Sequence, residues 1–255
     1  MTPRRPDMGV LQPPAAAVTF DCWGTLISEE NWMLAHARRV AALAHAAQEA
    51  GRATSSAEAG NAFDRAWEHH MNRWREGVST GATDIALHAL RLLGLQSPHP
   101  ALEHLVREYE ESSHSSQVTA LDGARDSLAA LERAGVRRAL VCDTGLTPGR
   151  VVRRHLERLD LLALLEVCIF SDEVGVPKPD PRVFRAALEP LGVEPTDAVH
   201  VGDLRRTDVA GARGIGMGAI RIRALHDDRS DLPDADAVVG SHLELQSLLA
   251  VSGSS

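Results

Sequence analysis

The chain has 255 residues, 44% of them hydrophobic, and a formal charge of -8. That length can bury one large core, or a core with a smaller companion. The acidic balance and the lack of a basic run argue against a nucleic-acid partner.

Residues 1–14 carry arginines and prolines but no long apolar region, and read as a disordered tail, neither signal peptide nor membrane anchor. No membrane partner is expected. Cys22, Cys142 and Cys168 are odd in number and show no C-x-x-C spacing, so they read as reduced thiols of a cytoplasmic protein. Ala15 to Phe20 is a short apolar run that reads as a buried parallel strand. It stops at Asp21, the position where open α/β sheets present groups to ligands.

The pattern then turns helical for roughly ninety residues. A first helix is expected from about Glu30 to Ala50, with Met33, Ala37, Val40, Ala44 and Ala47 on its apolar face. Ser55 and Glu58 form a capping-box pattern for the second. That helix puts Phe63, Trp67, Met71 and Trp74 on one stripe, read as helix-bundle core rather than a substrate box. A third is expected over 83–93 and a fourth from Pro100 to Ser113. Arg38, Arg39, Arg73 and Arg75 read as a solvated helix face. Ser112 to Ser116 reads as a polar hinge.

From residue 117 strands and helices alternate. Strands are expected at 139–142, 167–170, 198–201, 219–222 and 237–239. Asp180 followed by Pro181 starts one of the intervening helices. This alternation indicates a Rossmann-like, doubly wound parallel sheet over 15–27 and 117–250, with a four-helix insertion at 28–116.

The polar clusters all follow predicted strands. Asp21 follows the first, Asp143-Thr144-Gly145 the strand ending at Cys142, and Gly202-Asp203 the one ending at Val201, with Asp208 five residues on. Lys178 comes shortly after the strand ending at Phe170. Parallel-strand ends converge on one crevice. Three carboxylates meeting there would repel one another, so Asp21, Asp203 and Asp208 call for a hard cation such as Mg²⁺. Lys178 is the one lysine among 27 basic Lys and Arg residues. A compact ammonium retained where arginine fills every other position points to a chemical need for lysine. His200, inside a strand, reads as a satisfied core histidine.

Val18-Thr19-Phe20-Asp21-Cys22-Trp23-Gly24-Thr25 resembles the first motif of the haloacid dehalogenase-like hydrolases. Gly175 to Phe184 resembles their third motif, and Gly202-Asp203 with Asp208 the fourth of the phosphatase type. The resemblance implies that Asp21 is a nucleophile and that Lys178 steadies it. It implies that the Trp23 carbonyl completes a Mg²⁺ shell with Asp21, Asp203 and Asp208, and that the helical insertion caps the site. It further implies a small phosphorylated substrate, contacted by Thr144 and Gly145, and a monomer or homodimer.

Two positions depart from that pattern. Phosphatases of the family usually have a second aspartate where Trp23 stands, and an indole can neither give up a proton to a leaving group nor activate water. The 2-haloacid dehalogenases have an aromatic residue there, which keeps a dehalogenase as the alternative. Asp143 occupies the usual Ser/Thr position of the second motif, and relocation of the acid/base task to Asp143 is the expectation. The same departures leave open a non-catalytic binding protein.

Overall fold

The computed structural model describes residues 15–95 and 101–249. The tail expected over 1–14, the helix start at Pro100 and the chain end from Val251 lie outside them. In chain order the described elements begin with β1 (Ala17–Phe20), β2 (Ile27–Glu29), α1 (Trp32–Glu49), α2 (Ser56–Arg75), α3 (Ala82–Leu92) and α4 (Leu102–Glu111). They continue with β3 (Val118–Ala120), α5 (Ala124–Arg133), β4 (Arg137–Cys142), α6 (Gly149–Arg158), β5 (Val167–Phe170), α7 (Ser171–Val174) and α8 (Pro181–Leu188). The last are β6 (Ala198–Gly202), α9 (Ala210–Gly214), β7 (Gly218–Ile222), β8 (Ala237–Val239) and α10 (His242–Leu248).

Six strands form one parallel sheet in the order β5-β4-β1-β6-β7-β8. The doubly wound parallel sheet expected from the alternation is therefore present. Strand side chains alternate between two apolar layers. Val18, Phe20, Leu140, Val199 and Val201 face the layer shared with α5, α6 and α10. Ala17, Ala139, Val141 and Ala198 face the layer shared with α8 and α9. From β1 the chain builds outward through β4 and β5, then returns to start β6 on the other side of β1. Connections thus diverge between β1 and β6, and the crevice at their C-terminal ends is where such sheets bind ligands.

One polar pair sits inside this sheet. Thr19 and His200 are register partners of β1 and β6, both fully buried, with Thr19 Oγ1 2.7 Å from His200 Nδ1. Each satisfies the other where water cannot reach.

α1 to α4 lie between β2 and β3 and bury their own apolar cluster, centred on Leu43, Phe63, Ile85, Leu105 and Tyr109. The Ser55–Glu58 capping box forms as expected. Three local expectations do not hold. β2 and β3 pair antiparallel across the entry and exit of the insertion; three-residue strands carry too little periodicity to be seen in sequence. The buried face of α1 is Ala35, Arg39, Leu43, Ala46 and Ala47, while Met33 is 66% exposed. A helix this rich in alanine offers several plausible stripes, and packing chooses among them. Ser112, Ser113 and Ser116 are buried, not a solvated hinge. Ser113 Oγ meets His155 Nε2 at 2.9 Å and Ser116 Oγ donates to Glu29 Oε1 at 2.5 Å. Among the described residues no helix is long and apolar enough to cross a membrane.

Thr19→Val keeps shape and β-branching but leaves His200 Nδ1 unpaired in the sheet. Urea unfolding should show a loss of about 1–3 kcal/mol, the cost of a buried polar atom without its partner. An unchanged midpoint would mean the pair contributes nothing.

Candidate active site

The crevice between β1 and β6 holds four buried charged side chains. Asp21 leaves the end of β1, Asp203 the end of β6, and Asp208 the wide turn Arg205–Val209 that follows it. Each of the three acids offers an oxygen within 4.8 Å of the others. Lys178 reaches in from the loop between α7 and α8. Its Nζ donates to Asp21 Oδ1 at 2.5 Å and to Asp208 Oδ1 at 2.7 Å. Gly24, at φ +78°, leaves room for this approach; a Cβ there would stand 2.5 Å from Asp203 Oδ2. That steric fact accounts for a glycine three residues beyond Asp21.

The three acids differ in what holds them. Asp208 Oδ1 accepts from Lys178 and lies 3.2 Å from His200 Nε2; Oδ2 accepts from the Leu204 amide at 2.9 Å and from Thr207 Oγ1 at 3.3 Å. Burial works against its charge, but Lys178 and His200 outweigh burial and hold the carboxyl well below its usual range. Asp21 is pushed up to about 7 by burial, which the ammonium of Lys178 opposes and the charge of Asp208 reinforces. Asp203 is pushed up to about 9, by burial first and then by Asp21 and Asp208. His226 Nδ1 lies 3.2 Å from its Oδ2. Lys178 stays charged despite complete burial, because Asp208, Asp21 and Asp143 surround it. One ammonium thus serves a cluster of carboxylates, and Asp203 is the acid left furthest from ionisation. An all-oxygen set with surplus negative charge fits a hard divalent cation such as Mg²⁺.

Asp143 stands at the end of β4 and faces the insertion. Its Oδ1 accepts the Lys178 backbone N–H at 2.8 Å and its Oδ2 accepts Trp74 Nε1 of α2 at 2.8 Å. The Arg206 guanidinium lies 3.9 Å over the same indole. Burial raises the Asp143 carboxyl, against Lys178 and these donors. Each oxygen thus accepts one hydrogen bond and keeps a further lone pair. Thr144 lines the cavity, but its hydroxyl is engaged by Ser171 Oγ at 3.0 Å and Asp172 Oδ1 at 3.0 Å. Gly145 lies against α2, where a Cβ would come 2.8 Å from His70 Nε2.

A cavity of about 260 Å³ joins these groups to the inserted helices. All four tryptophans of the chain line it: Trp23, Trp32, Trp67 and Trp74. Trp67 and Trp74 are therefore cavity wall as well as packing residues. Helical spacing alone does not tell these apart, because one stripe can face a core and its neighbouring turn a cavity. Arg39 also lines the cavity and is buried, not solvated; Arg38, one residue away, is the half-buried partner of Glu108. His200 is a core histidine as expected, and in addition touches Asp208.

Residues 15–216 match the family model for haloacid dehalogenase-like hydrolases. The chain is a haloacid dehalogenase-like hydrolase. It is 34% identical over 162 residues to the mouse haloacid dehalogenase-like hydrolase domain-containing protein 3, covering 60% of this chain and 61% of that protein. This chain therefore spans about three-fifths of the length of that relative. It is 40% identical over 80 residues to the glyceraldehyde 3-phosphate phosphatase of Methanopyrus kandleri, covering 31% of this chain and 34% of that one. It is 27% identical over 216 residues to (S)-2-haloacid dehalogenase 1 of a Pseudomonas species, covering 84% and 86%. Among solved structures it resembles a haloacid dehalogenase-like phosphatase from Thermococcus onnurineus, with a TM-score of 0.65 and 26% identity over 92% of this chain and 98% of that one. The family thus established is a hydrolase family, and it has phosphatases among the relatives.

The Asp143–Trp74 bond ties the insertion to the sheet. Asp143→Asn must turn an amide N–H toward one of two donors, and should cost about 1–3 kcal/mol in urea unfolding. Adding Trp74→Phe to that variant should cost little more. Fully additive losses would show that the two side chains are not coupled.

Proposed function

We propose that this chain is a Mg²⁺-dependent hydrolase of small phosphomonoesters, with Asp21 as nucleophile. The carrying observation is the buried cluster of Asp21, Asp203 and Asp208 around Lys178 at the β1/β6 crevice. Displacement of halide from carbon asks for no such concentration of acids, whereas transfer of a phosphoryl group asks for cations on its oxygens. The phosphatase relatives support this reading. The long match to a haloacid dehalogenase and the aromatic Trp23 support the runner-up, in which Asp21 attacks carbon.

In the phosphatase reading Asp21, Asp203, Asp208 and the Trp23 carbonyl would hold Mg²⁺, which would supply positive charge against the transferring group. Asp21 attacks phosphorus through one carboxylate oxygen, the bond to the leaving oxygen breaks, and an aspartyl-phosphate results. Water then cleaves it and frees Asp21. Lys178 holds Asp21 in place and balances charge on the phosphoryl oxygens. Asp208, itself fixed by His200, Thr207 and the Leu204 amide, sets the position of Lys178. α1 to α4 act as a cap that excludes bulk water. Asp143 is a positioning residue: it fixes the Lys178 backbone and receives Trp74 from the cap.

Without an acid at Trp23, the leaving oxygen must depart as a weakly basic anion. kcat/KM with Mg²⁺ should therefore be about a hundred- to ten-thousandfold higher for p-nitrophenyl phosphate than for simple alkyl phosphates, the size of a missing general acid's contribution. Chelation of the metal, and Asp21→Asn, should each abolish both activities. Hydrolysis that survives chelation, or chloride release from 2-chloropropionate without metal, would move the assignment to the dehalogenase reading.

A further inference from the structure

The cap side of the cavity carries a cation, Arg39, that makes no ion pair among the described residues, although the carboxylate of Glu29 lines the same cavity. Arg39 is 1% exposed. Its Nε donates to Ser112 Oγ at 2.6 Å, and Ser112 donates onward to the Tyr109 carbonyl at 2.6 Å. Its guanidinium carbon stands 4.4 Å from the centre of the Trp32 ring. Nη1 is buried without a hydrogen-bond partner among the described residues. Glu29 is the acid that acts on it most, yet makes no ion pair with it and accepts instead from Ser116. Burial lowers Arg39 to about 10, which leaves it charged at neutral pH. A fixed, desolvated and unpaired guanidinium is costly to keep. Its neighbour Arg38, half-buried and paired with Glu108, shows the ordinary alternative.

The surroundings narrow what would pair with it. Lys178, the other permanent cation lining the cavity, is taken by Asp21 and Asp208. The Arg39 end therefore has a single positive charge to offer, in a planar fork that matches a carboxylate. The walls of the cavity include four indoles, with the Trp32 and Trp67 ring centres 5.5 Å apart, alongside Met71 and Leu146. Flat aromatic faces favour a planar or apolar body.

We infer that Arg39 anchors a carboxylate on the leaving half of the substrate, with the tryptophans holding a planar or apolar body between that carboxylate and the reacting group at Asp21. This rests on the phosphomonoester reading for the chemistry at Asp21, but the anion subsite can be tested apart from it.

The test compares 3-carboxyphenyl phosphate with phenyl phosphate, which share a leaving phenol and differ in the carboxylate. The native protein should favour the carboxylated ester at least tenfold in kcat/KM. Arg39→Met should fold at least as well as the parent, since it removes an unpaired buried charge, and should bring the ratio close to one. Arg39→Lys, which keeps the charge without the fork, should fall between. A native ratio near one, or a ratio that survives in folded Arg39→Met, would overturn the inference. If neither ester is hydrolysed, the phosphomonoester reading fails, and Arg39 is then judged by binding alone. Benzoate should quench tryptophan fluorescence saturably in the native protein and bind at least tenfold more weakly to Arg39→Met. Absence of saturable quenching, or equal binding by the variant, would overturn the subsite.

Discussion

The structure turns on one buried ammonium. Lys178 sits between Asp21 and Asp208, hydrogen-bonded to both, in a space closed to bulk water. Inside a protein such contacts are strong, and unbalanced charge there is equally costly. Everything around the crevice follows from holding that arrangement. Asp208 is fixed by donors on both oxygens. One of its neighbours, His200, is fixed in turn by Thr19 on the adjacent strand. A polar line therefore runs from the middle of the sheet to Asp21. The parallel order of β1 and β6 supplies the frame, since it brings two strand ends carrying acids side by side.

A second constraint joins the inserted helices to that frame. Asp143 accepts from the backbone of Lys178 and from the indole of Trp74. The loop that carries the ammonium and the helix that roofs the cavity thus meet on one carboxylate. Gly145 allows α2 to lie close enough for this contact. The cavity that results is polar at the sheet and aromatic at the helices, with Arg39 as the buried cation on the helical side.

Much of this was legible in the sequence, for identifiable reasons. The apolar runs ending at Phe20, Cys142 and Val201 are short, β-branched or compact, and an acid follows each within two residues, so the sheet and the convergence of acids could both be read. Lys178 stood out because arginine fills every other cationic position. What could not be read depended on side-chain direction. α1 is so rich in alanine that its buried face was decided by packing, and Arg39 was placed on the wrong side. Trp67 and Trp74 share a stripe with Phe63, and spacing does not say which of them face a cavity. The serines at 112–116 resembled a solvated linker because their partners, His155, Glu29 and Arg39, are far away in sequence. The two bonds of Asp143, to the Lys178 backbone and to Trp74, could not be read either, because both partners are far away in sequence.

The central claim is that the acids around Lys178 form a cation site, held at a cost to the metal-free fold. Asp203 measures that cost. Its carboxyl is raised from 3.8 to about 9 by burial and by the other acids, so the folded chain binds a proton there that the unfolded chain does not. Metal-free stability from this group is therefore lost as pH rises from about 4 toward 9. Thermal unfolding at pH 8, with chelator and with excess Mg²⁺, tests this directly in the native protein and in Asp203→Asn. The account predicts that the variant melts several degrees higher than the native protein in chelator, and that Mg²⁺ raises the native melting temperature but not that of the variant. A variant less stable than the native protein in chelator, or an equal Mg²⁺ shift in both, would contradict it.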